Sequence, residues 1–455
     1  MNTMDQAGDG DGPVVEVAAS SEDGSLRMSP APGVRFTATV PDGVPVVDVD
    51  LGWRGQSILG MGASFDHATC ENLGRLPAAR REEVVERLVS PTSGIGMNLM
   101  RLCIGTSDFA SLPYYTYDDM PPGQTDPGLE HFSIERDREH VLPVVKLARS
   151  INPDMLLFAS PWSPPAWMKS TGRLGGGVLR RRWYDAYARY LLAFLRAYEA
   201  EGLPIHALTV QNEPRFVDPG YPTTRWSGEE QRDFIRDHLG PLFEREGVTT
   251  RVWCWDHNWD NLKFPTTILA DPAAARYVEG TAFHLYEGRV EAQSTFHDAF
   301  PDRPIYFTEG SVYGTQGALE IIGILRNWSR TYSAWVVMLD EHLQPNSGPH
   351  DADPTPVELL DDGTVRFNPD YFIYGQFMRS IGRDAVRVAS SDPGIRRFGT
   401  VAVVNPDGEV VVVAANAGRH PRRFAVRCDG RAFEAELPPK AVATYRWQPG
   451  SAARG

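Results

Sequence analysis

A chain of 455 residues with a formal net charge of -14, 42% hydrophobic and 23% charged, has the composition of an ordinary globular protein. The acidic balance excludes a nucleic-acid partner, which needs clustered Lys and Arg, and the dense basic run Arg180-Arg181-Arg182 precedes an amphipathic helix as a solvated face. No run reaches the roughly 20 apolar residues of a membrane span, so no integral membrane segment is expected.

Residues 1–33 open on an acidic, Gly-rich stretch without the basic flank and apolar core of a signal peptide, which predicts a disordered tail and a cytoplasmic protein. Cys70, Cys103, Cys254 and Cys428 show neither C-x-x-C pairs nor zinc-like His spacing and read as buried free thiols. Residues 34–40 and 46–51 alternate like half-buried strands around the turn Pro41-Asp42-Gly43, so 34–52 forms a strand pair outside the main domain.

From 53 to 385 a unit repeats: a short apolar strand, a polar loop, an amphipathic helix. The strands fall at 58–64, 99–104, 156–160, 207–211, 252–255, 281–284, 305–309 and 334–339, and the helices near 77–88, 134–149, 183–201, 228–245, 265–269, 290–300, 319–328 and 371–381. Eight such units predict right-handed parallel crossovers closed into a (β/α)8 TIM barrel, an α/β fold. No G-x-G-x-x-G follows the first strand, which disfavours a dinucleotide-binding open sheet. Over 386–455 the period switches to two, with strands at 397–404, 409–415, 422–427, 432–437 and 441–447. That predicts a C-terminal β-sandwich joined by the N-terminal strands.

In such a barrel the loops after the strands share one face. They carry Asp66 and His67; Ser107 and Asp108; Trp162 to Trp167; Asn212 and Glu213; Asp256, His257 and Asn258; His284 and Tyr286; Glu309; and Trp335 and Asp340. Carboxylates and aromatics with few Lys suit a sugar, whose C–H faces stack on Trp and Tyr and whose hydroxyls need polar partners. Glu213, before Pro214, and Glu309 end the fourth and seventh strands, and paired carboxylates hydrolyse glycosides. An ionised partner about 5 Å away is worth roughly 3 kcal/mol at an effective dielectric near 20, about two pK units, which keeps Glu213 protonated near neutrality.

The sequence resembles glycoside hydrolase family 30, the glucosylceramidase and β-1,6-glucanase family. The likeness rests on Gly60-Met61-Gly62-Ala63-Ser64-Phe65-Asp66, Arg101 with Ser107-Asp108-Phe109, Ser160-Pro161-Trp162-Ser163-Pro164-Pro165-Ala166-Trp167-Met168-Lys169, Gln211-Asn212-Glu213-Pro214, His284-Leu285-Tyr286 and Phe307-Thr308-Glu309. It implies Glu213 as acid/base, Glu309 as nucleophile and Asn212 on the sugar 2-hydroxyl. It further implies Asp66, Trp162, His284 and Trp335 around the sugar ring, Tyr286 beside the nucleophile, and neither metal nor cofactor. The implied activity is a retaining β-glucosidase of glucosylceramidase type, with an endo-β-1,6-glucanase as the alternative. Val336, Gly310-Ser311 and Leu285 depart from the family's usual residues.

Rival readings have their own residues. A silent carbohydrate-binding protein would follow if the departures near the eighth strand spoil the site, and a metal hydrolase would use Asp256, His257 and His284. Trp162 and Trp335 could serve the core alone. Asn327-Trp328-Ser329 is taken as a chance sequon.

Overall fold

The computed structural model describes residues 13–40 and 42–449. Eight parallel strands form one sheet: Gly60–Ser64, Leu99–Ile104, Leu156–Pro161, Ala207–Thr209, Arg251–Asn258, Gly280–His284, Ile305–Glu309 and Thr331–Val336, here numbered first to eighth. The first pairs with the eighth, and the seventh meets the eighth through an Ile305–Ser329 bridge and the bond from Phe307 N to Thr331 Oγ1 (2.8 Å), which closes the barrel.

Helices follow every strand and bury an apolar stripe against it. In Tyr184–Ala200 the stripe is Tyr187, Tyr190, Leu191, Phe194, Leu195 and Tyr198. The helix after the fourth strand opens on a reciprocal cap between Ser227 and Glu230. It passes through a π-turn at Ile235–Leu239 just before Gly240-Pro241, where proline has no N–H to continue the ladder.

The inside of the barrel is layered with period two. Leu59, Leu99, Phe158, Ala207, Trp253, Ala282 and Tyr306 fill an apolar floor. Two residues further along, Arg101, Ser160, Thr209, His284 and Thr308 make the next layer, which is polar and fully buried or nearly so. The fifth strand joins out of step: a register shift between Trp255 and His257, with both Trp255 and Asp256 at positive φ, puts Asp256 into the layer three residues after Trp253.

Nine further strands make a second sheet, ordered Arg431–Leu437, Arg422–Cys428, Val46–Ser57, Val386–Ser390, Phe398–Val404, Val410–Asn416, Ala441–Trp447, Val14–Ser21 and Ser29–Arg35. Its edges approach through a Thr37–Ala432 bridge, and it wraps a core that includes Phe36, Phe398, Phe424, Phe433, Tyr445 and Trp447. Val410–Asn416 is buried on both faces, with Val410, Val412 and Ala414 in this core and Val411, Val413 and Ala415 against the barrel. That explains its unbroken apolar run.

Two expectations are corrected here. The tail predicted to be disordered over 1–33 contains Val14–Ser21 and the start of Ser29–Arg35, because Glu16 to Ser21 pair residue by residue with Arg446 to Ala441; residues 1–12 lie outside the described residues. The strand expected at 34–40 instead ends at Arg35, leaving only the Thr37 bridge beyond it.

The N-terminal strand also reaches the barrel. Glu22 Oε1 accepts from the backbone N of Thr315 (2.8 Å) and from its hydroxyl, while Asp370 Oδ1 accepts from Gly314 N (2.6 Å). The helix Gly314–Arg326 is therefore capped at its first two N–H groups from outside itself. All four cysteines are buried and free.

Candidate active site

The strand-end loops surround a cavity of about 530 Å³. Six of the expected residues line it: Trp162, Asn212, Glu213, Tyr286, Glu309 and Trp335.

Glu309 ends the seventh strand with both carboxylate oxygens held. Oε2 accepts from the guanidinium of Arg101, and Oε1 accepts from the hydroxyl of Tyr286 (2.9 Å). Arg101, fully buried on the second strand, also donates to Asn212 Oδ1 (2.7 Å) and Asp256 Oδ2 (3.1 Å), and stands 4.8 Å from the Trp162 ring. Burial works against its charge, but Asp256 and Glu309 outweigh that and hold the guanidinium protonated. Because Arg101 occupies the amide oxygen of Asn212, the Nδ2 group, unpaired among the described residues, is the end left for a ligand.

Glu213 follows the fourth strand at φ +45°, with its N–H donating to Asp256 O (3.0 Å). This left-handed conformation is costly for a residue other than glycine and is fixed by the loop around it. Gln211 ties that loop to its neighbour, since its Nε2 donates to Trp162 O (2.7 Å) and Asn212 O (2.8 Å). The Glu213 carboxyl lies 3.0 Å from His284 Nδ1, and one of its oxygens is within 4.8 Å of a Glu309 oxygen. Burial raises its pKa, and the Glu309 charge raises it further against the opposing pull of His284 and Arg101. Burial and the neighbouring Glu309 thus bias Glu213 toward its protonated form.

Trp162 and Trp335 stack at 5.0 Å and 22°, with Phe109 edge-on to Trp335 at 5.9 Å. They pack in a small apolar cluster and also line the cavity. Val336, the departure after Trp335, lines the same wall.

Two expected residues stand elsewhere. Asp66 is fully buried and caps the helix His67–Arg75, with Oδ1 and Oδ2 accepting from Thr69 N and Oγ1 at 2.9 Å each, so it does not reach the cavity. Asp108, in the motif Ser107-Asp108-Phe109, lines the cavity instead. Burial and then the charge of Glu309 push its carboxyl up to about 8. His284 is fully buried, with its Nε2 3.0 Å from Asp256 Oδ1 and its Nδ1 3.0 Å from Glu213 Oε1, so it touches Glu213 and is not part of the cavity lining.

Asp256, read from the sequence as a strand-end carboxylate and a rival metal ligand, is the hub of the polar layer. It accepts from Arg101, Ser160 (2.9 Å), Thr209 (2.7 Å), Thr308 (2.6 Å) and His284. Burial opposes its ionisation, but the Arg101 charge and these bonds hold it well below the usual carboxylate range. Arg101 did carry a signal in the sequence: an unavoidable cation inside the otherwise apolar run 99–104.

Comparison with known proteins agrees with this geometry. Residues 58–350 match the glycosyl hydrolase family 30 TIM-barrel domain, and residues 384–445 match the family's beta sandwich domain. An endo-1,6-beta-D-glucanase of Neurospora crassa is 32% identical over 88% of this chain and 87% of its own length. The mouse lysosomal acid glucosylceramidase is 29% identical over 86% and 81%. Among solved structures, an endo-beta1,6-glucanase superposes with a TM-score of 0.87 at 28% identity, covering 96% of this chain and all of that one. SrfJ of Salmonella typhimurium gives 0.89 at 27%, with the same coverage. With both domains matched in order and a carboxylate pair at the barrel mouth, the chain belongs to glycosyl hydrolase family 30 and is a glycosidase of β-linkages.

Proposed function

We propose that this protein hydrolyses β-1,6-glucan internally, with retention of configuration. The observation that carries the mechanism is the approach of Glu213 and Glu309 oxygens to within 4.8 Å. Retaining enzymes set their carboxyl groups about 5–5.5 Å apart, whereas inverting ones leave about 6.5–9.5 Å for a water. In the first step a Glu309 oxygen attacks the anomeric carbon, the glycosidic C–O bond breaks, and the Glu213 proton goes to the leaving oxygen. In the second, water attacks the same carbon, the ester to Glu309 breaks, and Glu213 takes the proton from water.

The substrate class is supported by the fungal relatives named endo-1,6-beta-D-glucanases, at 28–32% identity. It is also supported by the carboxylates Asp260, Glu287, Asp351 and Asp353 around the cavity, acceptors that suit a hydroxyl-rich chain. A glucosylceramidase-type activity is the second reading, favoured by the mouse relative and by Phe216 and Tyr313, which offer apolar surface to an aglycone.

Digestion of β-1,6-glucan tests the proposal. The expected products are mixed oligomers that first appear as β-anomers. Early α-anomers would overturn retention. Cleavage of micellar glucosylceramide with β-1,6-glucan left intact would select the second reading.

A further inference from the structure

Five ionisable side chains meet in the barrel mouth. Arg101 touches Asp256, Asn212 and Glu309; Asp256 touches Arg101 and His284; His284 touches Asp256 and Glu213, with Glu309 Oε1 at 3.9 Å from its Nδ1. Arg101, Asp256 and His284 are fully buried and Glu309 is nearly so. Burying unbalanced charge is expensive, so the cluster's proton count is constrained by its net charge.

From this geometry we infer that His284 is a positioning residue that remains a doubly protonated imidazolium through both halves of the reaction, held so by Asp256. In this arrangement Nε2–H donates to Asp256 Oδ1 and Nδ1–H donates to Glu213 Oε1. Oε1 is then permanently an acceptor, and Oε2 alone exchanges protons with substrate and water. The inference rests on the retaining reading above and deepens it.

The charges balance in each state. Before reaction, Arg101 and His284 are positive, Asp256 and Glu309 negative, and Glu213 neutral with its proton on Oε2. When Glu309 forms the glycosyl ester it loses its charge, and Glu213, having given its proton to the leaving oxygen, becomes negative. The sum is zero both times. The negative charge has crossed from one glutamate to the other, over an imidazole that contacts one at 3.0 Å and the other at 3.9 Å. A neutral His284 would leave the buried group one charge short in both states.

The surroundings support a fixed cation. Around His284 stand Asp256 and His257 from the fifth strand, Glu213 from the loop after the fourth, Thr308 and Glu309 from the seventh, Tyr286 from its own loop, and Arg101 across Asp256. Thr308 bonds the same Asp256 oxygen as His284 and so keeps it an acceptor (2.6 Å). Burial would depress the imidazole, but the Glu309 charge and then the bonds to Asp256 and Glu213 raise it to about 9. His257, by contrast, is driven down to about 3 by burial and by His284 itself, and remains neutral beside it.

Two measurements test this. Imidazole nitrogen NMR on ¹⁵N-histidine enzyme, with His284 identified by its loss in His284→Gln, should show both nitrogens protonated at pH 7 in the free enzyme and in the enzyme trapped with a fluoroglycoside. One unprotonated nitrogen in either form overturns the inference. In steady-state kinetics His284→Gln removes a cation beside Glu213, so the alkaline limb of kcat/KM should move up by about one to two pH units. A lower rate with an unmoved limb would mean a merely structural role and would also overturn it. Asp256→Asn serves as the second variant if His284→Gln does not fold, and should bring titration of the imidazole below pH 7. Retention of a protonated imidazole in that variant refutes the role of Asp256. If the fluoroglycoside fails to label Glu309, the retaining reading fails, while the free-enzyme spectrum still decides the charge of His284.

Discussion

Tyr286 donates its hydroxyl to Oε1 of Glu309 across 2.9 Å, although about half of the residue is exposed. With Arg101 on the other oxygen, the Glu309 carboxylate is held between a guanidinium and a phenol at the edge of the cavity. Removing one hydrogen bond to an ionised group costs roughly 1.5–3 kcal/mol. Tyr286→Phe should therefore lower kcat/KM about 10- to 100-fold without altering thermal stability. An unchanged rate would show that Arg101 alone orients the carboxylate.

The two glutamates should fail differently. Glu309→Gln should abolish turnover, and a fluoroglycoside should add its mass to the wild-type peptide that carries Glu309. Glu213→Gln should slow hydrolysis of poor leaving groups by about 10²–10⁴-fold, spare the first step with a dinitrophenyl glycoside, and recover with azide. A Glu213→Gln enzyme indifferent to both leaving group and azide would refute the acid/base assignment.

Asp66, expected at the sugar, caps a helix while Asp108 lines the cavity, and a pair of alanine variants separates the two. Asp66→Ala removes a helix cap, so denaturation should report a loss of about 0.5–2 kcal/mol or more, with KM unchanged. Asp108→Ala should raise KM about tenfold with less effect on folding, since its carboxyl lines the cavity. A raised KM in the first variant and not the second would return Asp66 to the sugar.

The pH response of Asp108 has a definite sign. Its folded pKa is raised to about 8 from the usual value near 4, so the native state binds more protons than the unfolded chain between those limits, and this group's contribution to stability falls as pH rises across that window. Asp108→Asn cannot ionise. Its melting temperature should therefore decline less than wild type between pH 5 and pH 8, and parallel declines would exclude Asp108 as the source.

Much of this was legible because the relevant signals are local. Alternating strand and helix units gave the barrel, and Glu213 and Glu309 announced themselves as carboxylates ending apolar runs. What stayed hidden depended on register. The shift at Trp255 that aims Asp256 inward leaves no trace in the pattern of residue types, and neither does the choice of Asp108 over Asp66 at the cavity, which turns on Thr69 lying three residues after Asp66 to complete a cap. The N-terminal strand is hidden because Val14 to Ser21 follows a Gly-rich acidic stretch and its partner, residues 441–447, lies at the opposite end of the chain.

That strand ends at Ser21, and the next residue, Glu22, secures the first turn of a helix that starts five residues after Glu309. Cutting the chain at residue 33 would remove Glu22 and so untether the helix that follows the strand ending in Glu309. The amino end is thus a remote fastening for the helix that follows Glu309.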